Sequence, residues 1–136
     1  MTLAALARDD ASAQFFDAAA QGVLLYQRCA ACGHAQLPIG ASVRSRCRSC
    51  GRNEVQWTPA SGQATLISWT SSPIRTAEGS APGPVIGLLE LQEGPWLETQ
   101  LRGLTGAAGE LDEGAPFHVG FEQPEGSEPI PVFHAV

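Results

Sequence analysis

The chain has 136 residues, enough for one ordinary domain or two very small ones, and 43% apolar content supports a real core. With 14 acidic against 8 basic residues its net charge is −6, which argues against a general nucleic-acid binder, because those carry a basic footprint. No apolar run reaches bilayer-spanning length, and Met1–Ala7 lacks the basic start of a secretory signal, so a soluble cytoplasmic protein is expected.

In chain order, Asp9–Gln21 reads as a short helix, with Asp9 or Asp10 as cap and Gly22 as stop. Phe15, Phe16 and Ala19 give it an apolar side, to be buried on its own domain or on a partner. Val23–Arg28 reads as a strand, Ala35–Leu37 as its return, Ile39–Arg46 as a loop or irregular hairpin, and Glu54–Trp57 as a further strand.

Between these strands lie all four cysteines: Cys29-Ala30-Ala31-Cys32-Gly33 and Cys47-Arg48-Ser49-Cys50-Gly51. Two C-x-x-C-G knuckles form the pattern of a zinc ribbon, in which Cys29, Cys32, Cys47 and Cys50 close a tetrahedral structural Zn²⁺ site. Spacing leaves iron, bound as in rubredoxin, open as well. Paired disulfides would need an oxidising compartment, for which the sequence gives no sign, and no thioredoxin-like βαβ pattern supports a redox role. A ribbon of this size cannot stand on its apolar core alone, so the metal supplies its stability.

Beyond Trp57 the sequence becomes a series of strands: Gly62–Thr70, Val85–Leu91, Trp96–Leu101, Phe117–Phe121 and Ile130–Val136. Ser71–Gly83 reads as a loop, and Gly103–Gly114 as a connection with room for one helical turn. Five strands with a longer connection after the third fit a Greek-key barrel of the OB type, although periodicity does not separate that from a small open sandwich. The expected fold is therefore mostly β: an N-terminal helical arm at 1–22, a rubredoxin-like Cys₄ ribbon at 23–57 and a five-stranded OB barrel at 58–136.

Nothing in the sequence assembles a catalytic centre. His34, His118 and His134 are scattered, and G-x-S-x-G, P-loop and H-E-x-x-H motifs are absent. A closed Cys₄ site has no open position to activate water. Trp57, Trp69 and Trp96 could stack bases on an OB barrel, but the acidic balance favours core or interface roles.

The ordered set resembles the acyl-CoA-associated OB-fold proteins with a rubredoxin-like zinc ribbon, the domain of unknown function 35 family. The matching residues are Phe15-Phe16, Gly22–Gly33, Cys47–Gly51, Trp57–Gly62, Val85–Gly94, Leu111–Gly114 and Pro131–Phe133. The resemblance implies a non-catalytic accessory subunit that sits beside a thiolase-like enzyme, a lipid-transfer-type aldolase or a MaoC-like hydratase. Such a subunit binds CoA thioesters or shapes the partner's CoA channel. All eight basic residues are arginines, and Arg44, Arg46 and Arg48 alternate through the second knuckle. If extended, that segment projects three guanidiniums to one side, suited to the phosphates of CoA. Charge balance for a thiolate-rich centre, or contact with an acidic partner surface, is the competing explanation. A single-stranded nucleic-acid binder and a rubredoxin-like electron carrier are the alternative functions.

Overall fold

The computed structural model describes residues 3–38, 46–107 and 109–136. The fold follows the expected order: one short helix, a small three-stranded sheet that carries the cysteines, and a closed five-stranded barrel.

The helix, α1 (Ala13–Ala19), is shorter than the sequence suggests. The Asp9 carboxylate accepts the Ser12 N–H at 2.8 Å and its hydroxyl at 2.7 Å, and this local turn occupies what would have been the first helical turn. These bonds hold the Asp9 carboxyl below its ordinary value, the Ser12 hydroxyl contributing most. Gly22, at φ +79°, ends the helix as expected. Its N–H reaches the Ala19 carbonyl and that of Val23 reaches the Ala18 carbonyl, the pair of bonds that a Schellman cap makes.

Phe16 is buried, and Phe15 lies edge-on to it and 6.0 Å from the Trp57 ring. The helix thus docks on its own chain. The arm before it crosses to the barrel: Leu6 donates to Ser127 Oγ, and its carbonyl accepts the Glu128 N–H. Arg8 forks onto the Glu128 carboxylate and also meets Asp17 on the helix.

The ribbon sheet runs β2-β1-β3, with β1 Leu25–Cys29, β2 Ala35–Gln36 and β3 Val55–Pro59. β1 is paired on both edges, with Cys29 opposite Val55 and Gln27 opposite both Trp57 and Gln36. β4 (Gln63–Ser71) opens the barrel after the Ser61-Gly62 turn.

Ser71–Gly83, expected as a plain loop, contains a hairpin of β5 (Ile74–Thr76) and β6 (Gly79–Ala81). β7 (Val85–Leu91), β8 (Trp96–Arg102), β9 (Pro116–Glu122) and β10 (Ile130–Ala135) complete the barrel in the order β10-β8-β7-β4-β9. β8 and β10 are parallel and the other barrel pairs antiparallel, which is OB connectivity. The open-sandwich alternative falls because β9 pairs with both β4 and β10 and closes the ring.

No helical turn lies in the described part of 103–114. There the Glu110 carboxylate gathers the Thr105 and Gly106 N–H groups and so orders the connection.

The barrel interior follows strand alternation. Leu66, Leu89, Leu91, Leu101, Phe117 and Phe133 are buried within it. Leu24, which enters from the ribbon side, belongs to the same cluster, and the Ala60 N–H donates to its carbonyl. Barrel and ribbon therefore share apolar contacts at their junction. No helix among the described residues is long and apolar enough to cross a membrane.

Candidate metal centre

The two knuckles have the same local construction. The Gly33 N–H returns to the Cys29 carbonyl and the Gly51 N–H to the Cys47 carbonyl, each at 2.9 Å. Both glycines turn at positive φ, +79° and +76°, a conformation that side chains rarely adopt. The Cys29 N–H meets the His34 carbonyl, and the Cys47 N–H meets that of Arg52. An arginine precedes each knuckle and caps it: Arg28 donates to the Gly33 carbonyl at 2.9 Å and Arg46 to the Gly51 carbonyl at 3.2 Å. The repeated unit is thus R-C-x-x-C-G, and the leading arginine is visible in the sequence once the two halves are aligned.

The construction brings all four thiols together, their sulfur atoms within 4.8 Å of one another. Across the two knuckles Cys29 and Cys50 approach to 3.7 Å and Cys32 and Cys47 to 3.5 Å, and all four cysteines are free. A tetrahedral ion with sulfur ligands at 2.3 Å has S···S edges of roughly 3.8 Å. Donor set and spacing therefore fit a closed structural metal site. Cys29 and Cys47 are buried, whereas Cys32 and Cys50 face outward.

The backbone already favours a thiolate here. N–H groups of Cys50 and then Ser49 pull the Cys47 thiol down to about 6, against some opposition from burial. At Cys32 the backbone N–H of His34 pulls downward, but the Cys47 thiol, then desolvation and the Cys50 and Cys29 thiols, outweigh it and push the group up to about 11.

A buried amide underlies the second knuckle. Gln36 donates to the Arg46 carbonyl at 2.9 Å and to Gln27 Oε1 at 3.2 Å, and accepts the Arg48 N–H at 2.9 Å. Gln27 and Gln36 are 1% and 3% exposed. Sequence reading passed over this pair, because glutamine in a short polar return strand gives no sign that it will be buried.

Of the three arginines expected to form an anion strip, Arg44 lies outside the described residues. Arg46 and Arg48 are exposed, each with one donor committed to a backbone carbonyl, Arg48 to that of Leu37 at 2.6 Å. A guanidinium has five N–H donors, so among the described residues each commits only part of its capacity.

His34 is half-buried, while His118 and His134 are exposed register partners on β9 and β10. Trp69 packs against the barrel core, and Trp57 backs the helix. Trp96 stays 58% exposed, its Nε1–H donating to Glu90 at 2.9 Å. An apolar cleft of about 250 Å³ lies where helix, ribbon and barrel meet, lined by Phe15, Leu37, Pro38, Trp57 and Leu97.

Two family models match this chain. The model described as the ChsH2 rubredoxin-like zinc ribbon domain matches residues 16–42, and that of the ChsH2 C-terminal OB-fold domain matches 57–122. The ribbon match stops before Cys47, so the second knuckle's place in the centre rests on the sulfur geometry above.

Among curated proteins none matches the chain. Among solved structures, a chain of the Ltp2-ChsH2(DUF35) aldolase is 29% identical with a TM-score of 0.74, the overlap covering 95% of this chain and 97% of that one. A DUF35 protein of unknown function from Sulfolobus solfataricus is 19% identical with a TM-score of 0.60, covering 93% and 86%; at that identity it supports the fold alone. With both domain models matched in order on the architecture they describe, the chain belongs to the ChsH2-type DUF35 family, in which a rubredoxin-like zinc ribbon precedes a C-terminal OB fold.

Proposed function

We propose that this protein is the non-catalytic accessory subunit of an acyl-CoA enzyme, and that its partner is a lipid-transfer-type aldolase. The observation that carries this is the end-to-end similarity to a chain of an Ltp2-ChsH2(DUF35) aldolase, together with the two ChsH2 domain models. Thiolase-like and MaoC-like partners belong to the wider reading of the family. The charge distribution agrees with a protein-binding rather than nucleic-acid role: exposed Trp96 is tied to Glu90, and Glu98 lies on the same strand.

In this reading residues 1–22 are an arm, 23–57 the ribbon and 58–136 the barrel. Cys29, Cys32, Cys47 and Cys50 would hold one Zn²⁺ whose chemistry is structural: it cross-links the two knuckles and leaves no coordination position for substrate. The guanidiniums of Arg44, Arg46 and Arg48 would draw the CoA phosphates toward the partner's active site.

The test is reconstitution with a lipid-transfer-type aldolase from the same source organism. The two should co-purify in equal amounts, and cleavage of the acyl-CoA substrate should require both. Arg44→Gln with Arg46→Gln should raise KM for the CoA ester roughly tenfold, as expected when about 1.4 kcal/mol of binding is lost, with assembly and zinc content unchanged. Turnover by this chain alone, abolished by changing one of its own residues, would overturn the accessory role. An unaltered KM, or a complex that falls apart, would leave the arginines as structural or interface groups.

A further inference from the structure

The two knuckles match internally but are held differently. Cys29 is delivered by β1, whose backbone is paired on both edges. Cys47 is not in a strand; the described chain from 46 to 54 runs through turns and a bend before β3 begins. Among the described residues, the Gln36 side chain from β2 ties this knuckle to the sheet. Its amide donates to the carbonyl just before Cys47 and accepts the N–H just after it, as the backbone of a neighbouring strand would. Gln36 is itself fixed, being 3% exposed and hydrogen-bonded to the equally enclosed Gln27. A further tie, from the Arg48 guanidinium to the Leu37 carbonyl, is solvent-exposed and so competes with water.

We infer that Gln36 is the positioning residue of the metal centre: its amide latches the second knuckle onto the first, and without it Cys47 and Cys50 leave the ion before Cys29 and Cys32. The inference rests on reading the four cysteines as a metal centre. Groups that orient ligands from behind typically contribute 10–100-fold to metal affinity. Here the orientation acts through the ligand's backbone. The asymmetry predicts an order of release, because the first knuckle keeps its strand pairing when the second swings away.

The experiment uses the zinc-loaded 136-residue chain and Gln36→Met, which keeps the volume and removes both knuckle hydrogen bonds. Wild-type metal content is measured first. A wild-type chain that takes up neither zinc nor cobalt would remove the metal-centre reading itself, a failure separate from that of the latch. Zinc release to a chelator is then followed alongside residue-resolved alkylation by N-ethylmaleimide. The solvent-exposed pair Cys50 and Cys32, and the buried pair Cys47 and Cys29, provide comparisons matched for access.

The expected result is one zinc per chain, released roughly 10–100-fold faster than from wild type, with Cys47 and Cys50 alkylated well ahead of their counterparts. Unchanged release, or four cysteines reacting in step, would overturn the latch, since general loosening of the ribbon exposes both knuckles alike. If Gln36→Met does not fold, Gln36→Leu also removes both knuckle hydrogen bonds. It should release zinc faster than wild type in the same order of cysteines, and wild-type kinetics there would also refute the proposal.

Discussion

At the scale of single residues, Gly87 shows how tightly the barrel closes. It sits mid-strand in β7, and a Cβ added there would lie 2.8–3.0 Å from three side-chain atoms of Leu101, which is 3% exposed. The glycine is required by this close approach, not by any special backbone angle. Gly87→Ala should cost about 1–3 kcal/mol through overpacking, read as a lower midpoint in urea with an unchanged slope. Leu101→Val alone should also destabilise, by roughly 1 kcal/mol for the lost methylene. Combined, the two should cost less than their sum, because the smaller side chain vacates the space that the new methyl needs. Strict additivity in that double-mutant cycle would mean that the two do not compete for the same volume.

At the scale of elements, much was legible and the omissions have physical causes. β7 falls at Val85–Leu91 as read, because its apolar run is bounded by Pro84 and by the Gln92-Glu93-Gly94-Pro95 turn. The four-cysteine cluster followed from knuckle spacing alone. The β5–β6 hairpin was missed because its Ser-, Pro- and Gly-rich surroundings carry the composition of a loop, and its three-residue strands bury almost nothing to impose alternation. The helix was overextended because alanine-rich periodicity does not reveal that Asp9 and Ser12 will bond each other first. Nor does any local pattern announce the Gln36 amide, whose partners lie ten and twelve residues away.

Arg102 at the end of β8 forks onto Glu122 of β9 at 2.7 Å, spanning β10 between them. That contact holds the Glu122 carboxyl below its ordinary value. A lowered folded value stabilises the fold above the ordinary carboxylate range, near pH 4.3, and the contribution disappears as pH falls through the lowered value. Glu122→Gln should therefore cost roughly 0.5–1 kcal/mol at neutral pH, given the pair's partial exposure. The gap from wild type should close below about pH 4. A pH-independent difference in denaturant midpoints would assign the effect to packing instead.

At the scale of the whole molecule, the question is whether ribbon and barrel unfold together. Separate stabilisation argues for independence: the barrel closes its own hydrogen-bond ring around an apolar interior, while the ribbon has a two-residue strand, a five-residue strand and β3. Structural zinc supplies on the order of 10 kcal/mol to units that small, so its loss removes most of what orders the ribbon. The junction argues for partial coupling, since Leu24 lies within the barrel's core cluster and Phe15 and Leu37 pack against it.

Cys47→Ser separates these terms. Hydrogen exchange should lose protection throughout β1–β3, while β7, β8 and β10 keep theirs. The barrel's melting temperature should fall by only a few degrees, corresponding to roughly 1 kcal/mol lost at the junction. Acid titration of the wild type should reach the same state reversibly, because the ligands must be deprotonated to hold the ion. Uniform loss of protection across barrel and ribbon would show that the shared contacts at Leu24 outweigh the barrel's own closure, and that the metal supports the whole chain.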